Sequence, residues 1–282
     1  MTTAPHGLAM IAQTCRSMRR DIIEMVGAAG SGHPGGSLSS VEIMATLYFG
    51  VMKHDPSNPA MPERDRFVLS KGHAAPVLYA ALAEAGYFPR EELVTLRKLG
   101  SRLQGHPDAR KTPGVEVSTG SLGQGLALAN GLALALRLDR NITPTVYCLL
   151  GDGELQEGEV WEAAMLAAHY QLDNVVAIVD LNGMQIDGPT AEVMDVGEVE
   201  AKFAAFGWHV VTCDGHDLEQ LAEAFEAARA CTDGPSVIVA DTVKGKGVSF
   251  MEGLCDWHGK APNAEQCAIA LSELELTEGS TS

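Results

Sequence analysis

The amino-acid sequence predicts an α/β fold, a doubly wound and mainly parallel sheet flanked by helices. Short apolar, β-branched runs at 145–150, 174–181 and 236–243 are typical of buried parallel strands. Helical runs alternate with them along the chain, as in parallel crossover units. Glycine-containing turns follow several strand runs, at the edge where open α/β sheets bind ligands. We expect one domain over residues 1–272 and a polar, acidic tail over 273–282.

The other elements follow the same alternation. Ser39 and Glu42 form a capping-box pattern at the start of a helix that ends near residue 52. Residues 71–74 begin a helix directly after a strand. The apolar spacing further predicts helices over 7–29, 90–99, 122–138, 198–206 and 218–230, and strands over 66–70 and 208–213.

The composition is that of an ordinary globular protein with an acidic surface. The chain has 282 residues, is 46% hydrophobic and carries a formal charge of −17. This charge argues against nucleic acid and anionic membranes as partners. The sequence also lacks a secretory signal pattern and an apolar run of membrane-spanning length. Its six cysteines include no C-x-x-C pair, which favours a reducing, cytoplasmic location.

Two oxygen-bearing side chains follow neighbouring strands of the central unit. Asp152 lies in a Gly-Asp-Gly turn after the run at 145–150, and Asn182 follows the run at 174–181. A right-handed crossover places the ends of such strands side by side. Together with the Met184 carbonyl, they form an oxygen-only set that suits Mg²⁺ or Ca²⁺. The alternative is that both residues only form turns.

Four histidines lie next to glycine in segments predicted to be loops: His33, His73, His106 and His258. Histidine can donate to phosphate and sugar hydroxyls and can move protons near neutral pH. Their spacing does not match a zinc site. Taken alone, each one is more often a structural or surface histidine, but four of them beside glycine favour a functional role.

A glycine-rich segment at 118–125 opens a long alanine- and leucine-rich helix. Free N–H groups at a helix N-terminus suit a phosphate. The spacing matches neither the P-loop nor G-x-G-x-x-G. Close helix packing explains these glycines equally well at this stage.

In combination, these motifs resemble the N-terminal, diphosphate-binding part of transketolase, a thiamine diphosphate enzyme. The resemblance covers most of the chain, with the motifs in the family's order. Relatives in the family usually have Pro at the position of Ser121 and Lys at that of Gly183. The matching stretches are SGHPGG at 31–36, RFVLSKGHA at 66–74, QGHP at 104–107, STGSLGQG at 118–125, GDGELQEG at 151–158, VDLNGMQIDG at 179–188, and TVKGKG with WHG within 242–259.

The resemblance implies the thiamine diphosphate-binding fold and a role for each matching residue. Asp152, Asn182 and the Met184 carbonyl would hold Mg²⁺, with Ca²⁺ or Mn²⁺ as alternatives. His33, His106 and His258 would be catalytic, lining the channel and holding the hydroxyls of a ketose donor. Glu157 would lie at a subunit contact near the cofactor. The residues expected to bind the cofactor are His73, Gly120, Ser121, Leu122, Gly153, Glu157, Asn182 and His258.

The family also carries a pyrimidine-binding domain and a C-terminal domain, which we expect to lie on another chain. We therefore expect a subunit of a split transketolase, inactive alone, which pairs with a second chain that carries both domains, as an α2β2 assembly. It would transfer a two-carbon glycolaldehyde unit from a ketose or ketose phosphate to an aldose or aldose phosphate. The alternatives are the α subunit of a thiamine diphosphate-dependent 2-oxo acid dehydrogenase, a non-catalytic Mg²⁺-diphosphate-binding subunit, and a domain whose glycines are only structural.

Overall fold

The computed structural model describes residues 7–138 and 144–276, and a five-stranded parallel sheet forms its centre. The sheet order is β1-β2-β3-β7-β6, and all neighbouring strands are parallel. A separate antiparallel pair, β4 and β5, has two residues in each strand. The predicted mainly parallel sheet is therefore confirmed. The strands are β1 (Arg66–Leu69), β2 (Val146–Gly151), β3 (Val175–Leu181), β4 (Met184–Gln185), β5 (Gly188–Pro189), β6 (His209–Asp214) and β7 (Ser236–Asp241).

Helices cover both faces of this sheet. Tyr147 and Leu149 of β2 belong to one apolar cluster, and Cys148 and Leu150 belong to a second cluster on the other face. Because both faces of β2 are buried, this strand is continuously apolar instead of alternating with polar residues. The helices are α1 (Leu8–Ala29), α2 (Pro34–Leu38), α3 (Val41–Thr46), α4 (Ala75–Glu84), α5 (Gln124–Arg137), α6 (Gly158–His169), α7 (Thr190–Val193), α8 (Val199–Ala205), α9 (Leu218–Ala230) and α10 (Ala264–Leu276).

Shorter helical segments complete the architecture. A π-helical turn over Leu47–Val51 extends α3, and 3₁₀ segments span Gly72–Ala74, Arg90–Thr95, Gly153–Gln156 and Cys255–Trp257. None of the helices within the described ranges has the length and apolar composition needed to cross a membrane.

The structure differs from the predicted helix over 90–99. That segment contains a 3₁₀ helix, Arg90–Thr95, and Arg97 beyond it has a φ of 59°. Leu93 and Leu96 are both buried, three positions apart. This spacing matches the 3₁₀ repeat and anchors a short turn to the core without requiring a longer α-helix.

The predicted capping box at Ser39 and Glu42 is also wrong. The residue before α3 is Ser40, and its side chain makes no capping hydrogen bond. Ser39 donates instead to Asp180 Oδ2 at 2.6 Å, and Glu42 binds Arg19 and His216. These side chains are used in buried tertiary contacts, which the local pattern could not indicate.

The last helix continues past the boundary predicted at residue 272. α10 extends to Leu276, Leu274 is buried, and Glu273 accepts hydrogen bonds from Ser249. Residues 273–276 are therefore helical, unlike the frayed tail that their polar sequence suggested. Residues 277–282 of the predicted tail lie outside the described residues.

One buried carboxylate joins the carboxyl ends of the strands. Asp180, near the end of β3, is fully buried and accepts hydrogen bonds from five side chains. The Lys71 ammonium also forms a buried ion pair with it and donates to the Gly36 carbonyl at 2.9 Å. These donors come from segments far apart in sequence, so Asp180 holds the segments together at the edge of the sheet. The five donors are Ser39, Ser40, Lys71, Asn182 and Thr242.

We predict that Leu274→Ala destabilises the fold. Leu274 is 4% exposed, and loss of a buried leucine side chain costs about 2–5 kcal/mol. Ile269→Ala, on the exposed side of the same helix, should change the free energy of unfolding by about 0.5 kcal/mol or less. Urea denaturation measures both. Equal effects of the two substitutions would contradict the packing of the last turn.

We predict that Asp180→Asn lowers the free energy of unfolding by about 3–5 kcal/mol, because it leaves the Lys71 ammonium buried without its partner charge. Denaturant unfolding at pH 7 measures this loss. Asp241→Asn is the matched control, since Asp241 is an exposed carboxylate near the end of β7.

A double variant tests whether the loss comes from the buried charge. Addition of Lys71→Met to Asp180→Asn should cost less than the sum of the single effects, because it removes the unpaired ammonium. Additive losses would show that the two side chains contribute independently.

Candidate functional site

A cavity of about 180 Å³ opens at the carboxyl edge of the sheet. The ends of β2 and β3, the start of α6 and the segment after β7 surround it. Four of the predicted site residues do not line it: Gly120, Ser121, His33 and His106. The predicted site residues that line it are His73, Leu122, Asp152, Gly153, Glu157, Asn182, Met184 and His258.

The structure brings Asp152 and Asn182 together at one lip of this cavity. Strands β2 and β3 are adjacent, with Gly151 opposite Asp180 in the register. Asp152 Oδ2 accepts the Gly183 N–H at 2.5 Å, and Oδ1 accepts the Gly153 N–H at 2.8 Å. The crossover geometry that the sequence predicted therefore holds. Gly183 has a φ of 72°, a conformation that glycine adopts without strain.

Asn182 is oriented by its neighbours. Its side-chain NH₂ donates to Asp180 Oδ2 at 3.1 Å, and its Oδ1 accepts the Met184 N–H at 3.1 Å. An amide has two distinct ends, so the bond to Asp180 fixes which end carries the oxygen. The oxygen is thereby held on the side of the loop that carries Met184.

These oxygen atoms fit a hard divalent cation. Burial, together with the nearby charge of Asp180, raises the pKa of Asp152 to about 6, against the effect of two backbone N–H groups and Lys71. The surroundings of Asp152 therefore disfavour its ionised form, whereas a bound cation would favour that form. The described ranges contain no group of three or more His, Cys, Asp or Glu side chains suited to a metal. A cation here depends on amide and carbonyl oxygens as well as Asp152.

Lys244 is a site residue that the sequence reasoning did not single out. Its side chain is 2% exposed. Its Nζ lies 3.3 Å from the Met184 carbonyl oxygen and 3.0 Å from His258 Nδ1. Burial and then the charge of Lys71 lower the pKa of Lys244 to about 8, so it remains protonated at neutral pH. The available signal was its position just after β7, at the same edge as Asp152.

The four predicted histidines form one cluster. The His73 and His258 ring centroids are 4.9 Å apart, and each lies 5.4 Å from the His33 ring. His106 is 6.3 Å from His33 and is exposed. The cluster therefore runs from the cavity, at His73 and His258, outward to His106.

Burial keeps these imidazoles neutral. It lowers the pKa of His33 to about 4, assisted by the charge of Arg97, and that of His258 to about 3, assisted by Lys244. Burial lowers the pKa of His73 as well, and partial desolvation together with the charge of Arg97 lowers that of the more exposed His106. At neutral pH each ring therefore offers one N–H donor and one acceptor nitrogen. The Lys244 ammonium donates to His258 Nδ1, which leaves the proton of that ring on Nε2.

The glycine-rich loop lies beside this cluster. A Cβ at Gly120 would approach the His106 ring to 3.1 Å, and a Cβ at Gly72 would lie 2.7 Å from Gly120 N. These glycines are required for close approach of two chain segments. Of the predicted loop residues, Leu122 reaches the cavity, whereas Ser121 is exposed.

A second buried carboxylate, Glu154, supports the loop and was also not predicted. It accepts hydrogen bonds from Ser70 Oγ, from the Gly123 N–H at 2.9 Å and from the Gly151 N–H at 3.0 Å. It thus links the ends of β1 and β2 to the start of α5. Glu157, in contrast, is exposed at the rim of the cavity.

Comparison with known proteins gives one consistent family. The model of the transketolase, thiamine diphosphate binding domain matches residues 9–278. The chain is 49% identical over 258 residues to the 6-deoxy-6-sulfo-D-fructose transketolase subunit SqwG of Clostridium sp. (strain MSTE9), covering 92% of this chain and 94% of that protein. It is 42% identical over 274 residues to one subunit of the apulose-4-phosphate transketolase of Actinobacillus succinogenes, covering 96% and 99%.

Solved structures agree with these relatives. The crystal structure of transketolase from Campylobacter jejuni superimposes with a TM-score of 0.90 at 35% identity, covering 96% of this chain and 43% of that one. The chain likewise spans 40% of the transketolases of Pongo abelii and Homo sapiens. The match over nearly the whole chain favours transketolase over the 2-oxo acid dehydrogenase alternative. The chain belongs to the transketolase family and contains its thiamine diphosphate-binding domain.

Proposed function

We propose that this chain is the diphosphate-binding subunit of a two-chain transketolase that uses thiamine diphosphate and a divalent cation. The observation that carries the proposal is the convergence of Asp152, Asn182 and the Met184 carbonyl at one lip, beside Lys244. Similarity to two transketolase subunits over at least nine-tenths of their length supports it. The reaction is transfer of a two-carbon glycolaldehyde unit from a ketose donor to an aldose acceptor.

Asp152, Asn182 and the Met184 carbonyl hold the cation in this proposal. Mg²⁺ is the first choice, because it prefers few protein oxygens and takes its remaining ligands from water and phosphate. Ca²⁺ and Mn²⁺ are alternatives for the same oxygen set. Lys244 supplies a further positive charge for the diphosphate.

The neutral imidazoles contact the cofactor and the ketose donor in this proposal. His73 and His258 contact the cofactor near its diphosphate, together with Gly153 and the loop of Gly120, Ser121 and Leu122. His33, His106 and His258 are the catalytic histidines, and their N–H groups and ring nitrogens hold and orient the hydroxyls of the ketose. Bound thiamine diphosphate supplies the carbon nucleophile, which no side chain of this site could provide.

The substrates in this proposal are sugars that carry an anionic group. The names of the two relatives refer to 6-deoxy-6-sulfo-D-fructose and to apulose-4-phosphate. A sulfonate and a phosphate are both anions, so we propose sugar phosphates, or sugars with a similar anion, for this chain. The neutral histidines match the hydroxyl-bearing end of such a donor.

A second chain that carries the pyrimidine-binding and C-terminal domains completes the enzyme in this proposal. α5 and α6 pack against each other and expose apolar side chains on their outer surfaces, between 39% and 57% exposed. Apolar surface of this kind is typical of protein interfaces. Glu157 directly precedes α6 and lines the cavity, and we assign it to the subunit contact in an α2β2 assembly. The exposed side chains are Leu128 of α5, Met165 and Leu166 of α6, and Tyr170 directly after α6.

We also propose a cytoplasmic location. Cys15, Cys148 and Cys213 are buried free thiols, and the other cysteines are free as well. Free thiols of this number suit a reducing compartment.

We predict that Mg²⁺-dependent binding of thiamine diphosphate weakens below pH 6. A ligating carboxylate must be ionised, and Asp152 has a pKa raised to about 6. The apparent affinity should therefore fall by about tenfold per pH unit below 6, once the carboxyl group is mostly protonated. Isothermal titration calorimetry between pH 5 and 8 measures it.

Asp152→Asn should remove cation-dependent binding at every pH. The fold should persist at pH 7, because burial already disfavours the charge at this position. Asp187→Asn, an exposed carboxylate in the following loop, is the control and should bind as the unmodified chain does. Unchanged affinity in Asp152→Asn would contradict the site.

We predict that the purified chain binds thiamine diphosphate with Mg²⁺ but does not turn over a ketose phosphate and an aldose phosphate. Addition of a partner chain with a pyrimidine-binding domain, obtained by co-purification from the native host, should restore two-carbon transfer. A coupled assay of the shortened sugar product measures it.

Other results of this assay separate the alternatives. Turnover by the chain alone would refute the need for a partner. Release of CO₂ from pyruvate by the reconstituted complex would favour the 2-oxo acid dehydrogenase function. Cofactor binding without transfer under any partner would favour a non-catalytic subunit.

A further inference from the structure

A buried ionic cluster lies behind the segment that carries Lys244. It consists of Arg19 of α1, Glu42 of α3 and His216, which precedes α9. Arg19 Nη1 and Nη2 lie 2.6 and 2.8 Å from Glu42 Oε1 and Oε2, a bidentate pair with side chains 9% and 10% exposed. None of the three residues lines the cavity at the sheet edge.

Two hydrogen bonds fix the tautomer of His216. The Val243 N–H donates to His216 Nε2 at 2.8 Å, and His216 Nδ1 lies 2.9 Å from Glu42 Oε2. A backbone amide can only donate through its N–H, so Nε2 must be the unprotonated nitrogen. The ring proton is therefore on Nδ1 and is donated to Glu42. His216 Nε2 is thus held as an acceptor for the Val243 N–H.

The cluster holds the Lys244 segment at both ends. Val243 is bound through its N–H to His216, and the Lys246 carbonyl accepts from Arg19 Nε at 3.1 Å. Between these two anchors the Gly245 N–H donates to the Gly35 carbonyl at 3.0 Å. The backbone on either side of Lys244 is therefore held in place, which fixes the point from which its side chain extends.

Lys244 differs from the other cation of this cavity because its contacts, with the Met184 carbonyl oxygen and His258 Nδ1, are with uncharged groups. Among the lining residues that the structure describes, the cations are Lys71 and Lys244. Lys71 is already used by Asp180 and the Gly36 carbonyl. A lysine side chain loses rotamer entropy when it is ordered, so a side chain that is already held in place binds a ligand at a lower entropic cost.

We propose that His216 is a positioning residue for the cofactor diphosphate. Its Nε2 holds the Val243 amide and thereby directs the Lys244 ammonium to the lip formed by Asp152 and Met184. The inference rests on the proposed function, because it takes the diphosphate as the ligand of Lys244. His216 itself touches neither the lip nor the ligand.

Two matched variants separate positioning from general support of the fold. The amide of His216→Gln lies near the place of Nε2 and can still accept from Val243. The amide of His216→Asn lies near the place of Nδ1, so it can donate to Glu42 but cannot reach Val243. The measurements are the dissociation constant for thiamine diphosphate with Mg²⁺, by calorimetry on the full chain, and hydrogen exchange of the peptide that contains Val243.

We expect His216→Asn to weaken binding about tenfold, the effect of one lost buried hydrogen bond, and to speed exchange at Val243. His216→Gln should retain both properties. In a Lys244→Ala background, His216→Asn should have no further effect on binding, since the positioned group is gone.

Each contrary outcome is distinct. If His216→Asn binds thiamine diphosphate as the unmodified chain does, or still weakens binding in Lys244→Ala, the positioning role is overturned while the proposed function stands. If the unmodified chain does not bind thiamine diphosphate with Mg²⁺, the proposed function fails and this inference with it. If neither His216 variant folds, His216 supports the fold in general and the specific role is refuted.

Discussion

The ion pair between Asp180 and Lys71 is the interaction on which the functional edge of this protein depends. Both side chains are almost completely buried, so each charge would be costly without the other. Burial alone would raise the pKa of Asp180, but the Lys71 ammonium and hydrogen bonds from Ser39 and Thr242 outweigh it and hold the pKa below its usual value. The carboxylate therefore stays ionised and keeps its donors in place.

Asp180 also positions residues that would contact a ligand. Asp180 orients the Asn182 amide, and it receives Thr242, two positions before Lys244. The position of Lys244 is then set by contacts from two sides, Asp180 in front and the Arg19–Glu42–His216 cluster behind. In a chain with a formal charge of −17, these contacts keep two ammonium groups, those of Lys71 and Lys244, at the cavity.

The sequence predicted the parts of the site that follow from strand order, and missed those that follow from side-chain packing. Asp152 and Asn182 could be placed together because adjacent parallel strands end at the same edge. Asp180 lies inside an apolar run and gave no separate signal, since its donors come from distant segments. Ser39 and Glu42 matched a helix-capping pattern and serve tertiary contacts instead. The helix expected at 90–99 failed for a related reason, because buried Leu93 and Leu96 decided its geometry.

The site carries electrostatic costs in its ligand-free form. Burial is the main cause that raises the pKa of Asp152 to about 6 and lowers that of Lys244 to about 8, so both charges are disfavoured without a ligand. By linkage, Asp152 reduces the stability of the ligand-free fold as pH rises through 6, whereas neutral His33 reduces it as pH falls from 6.5 towards 4. A divalent cation bound at Asp152 and a diphosphate bound at Lys244 would offset the cost of these two charges. The imidazoles would stay neutral. The Asp180–Lys71 pair can hold this arrangement because its own charges are already matched before any ligand arrives.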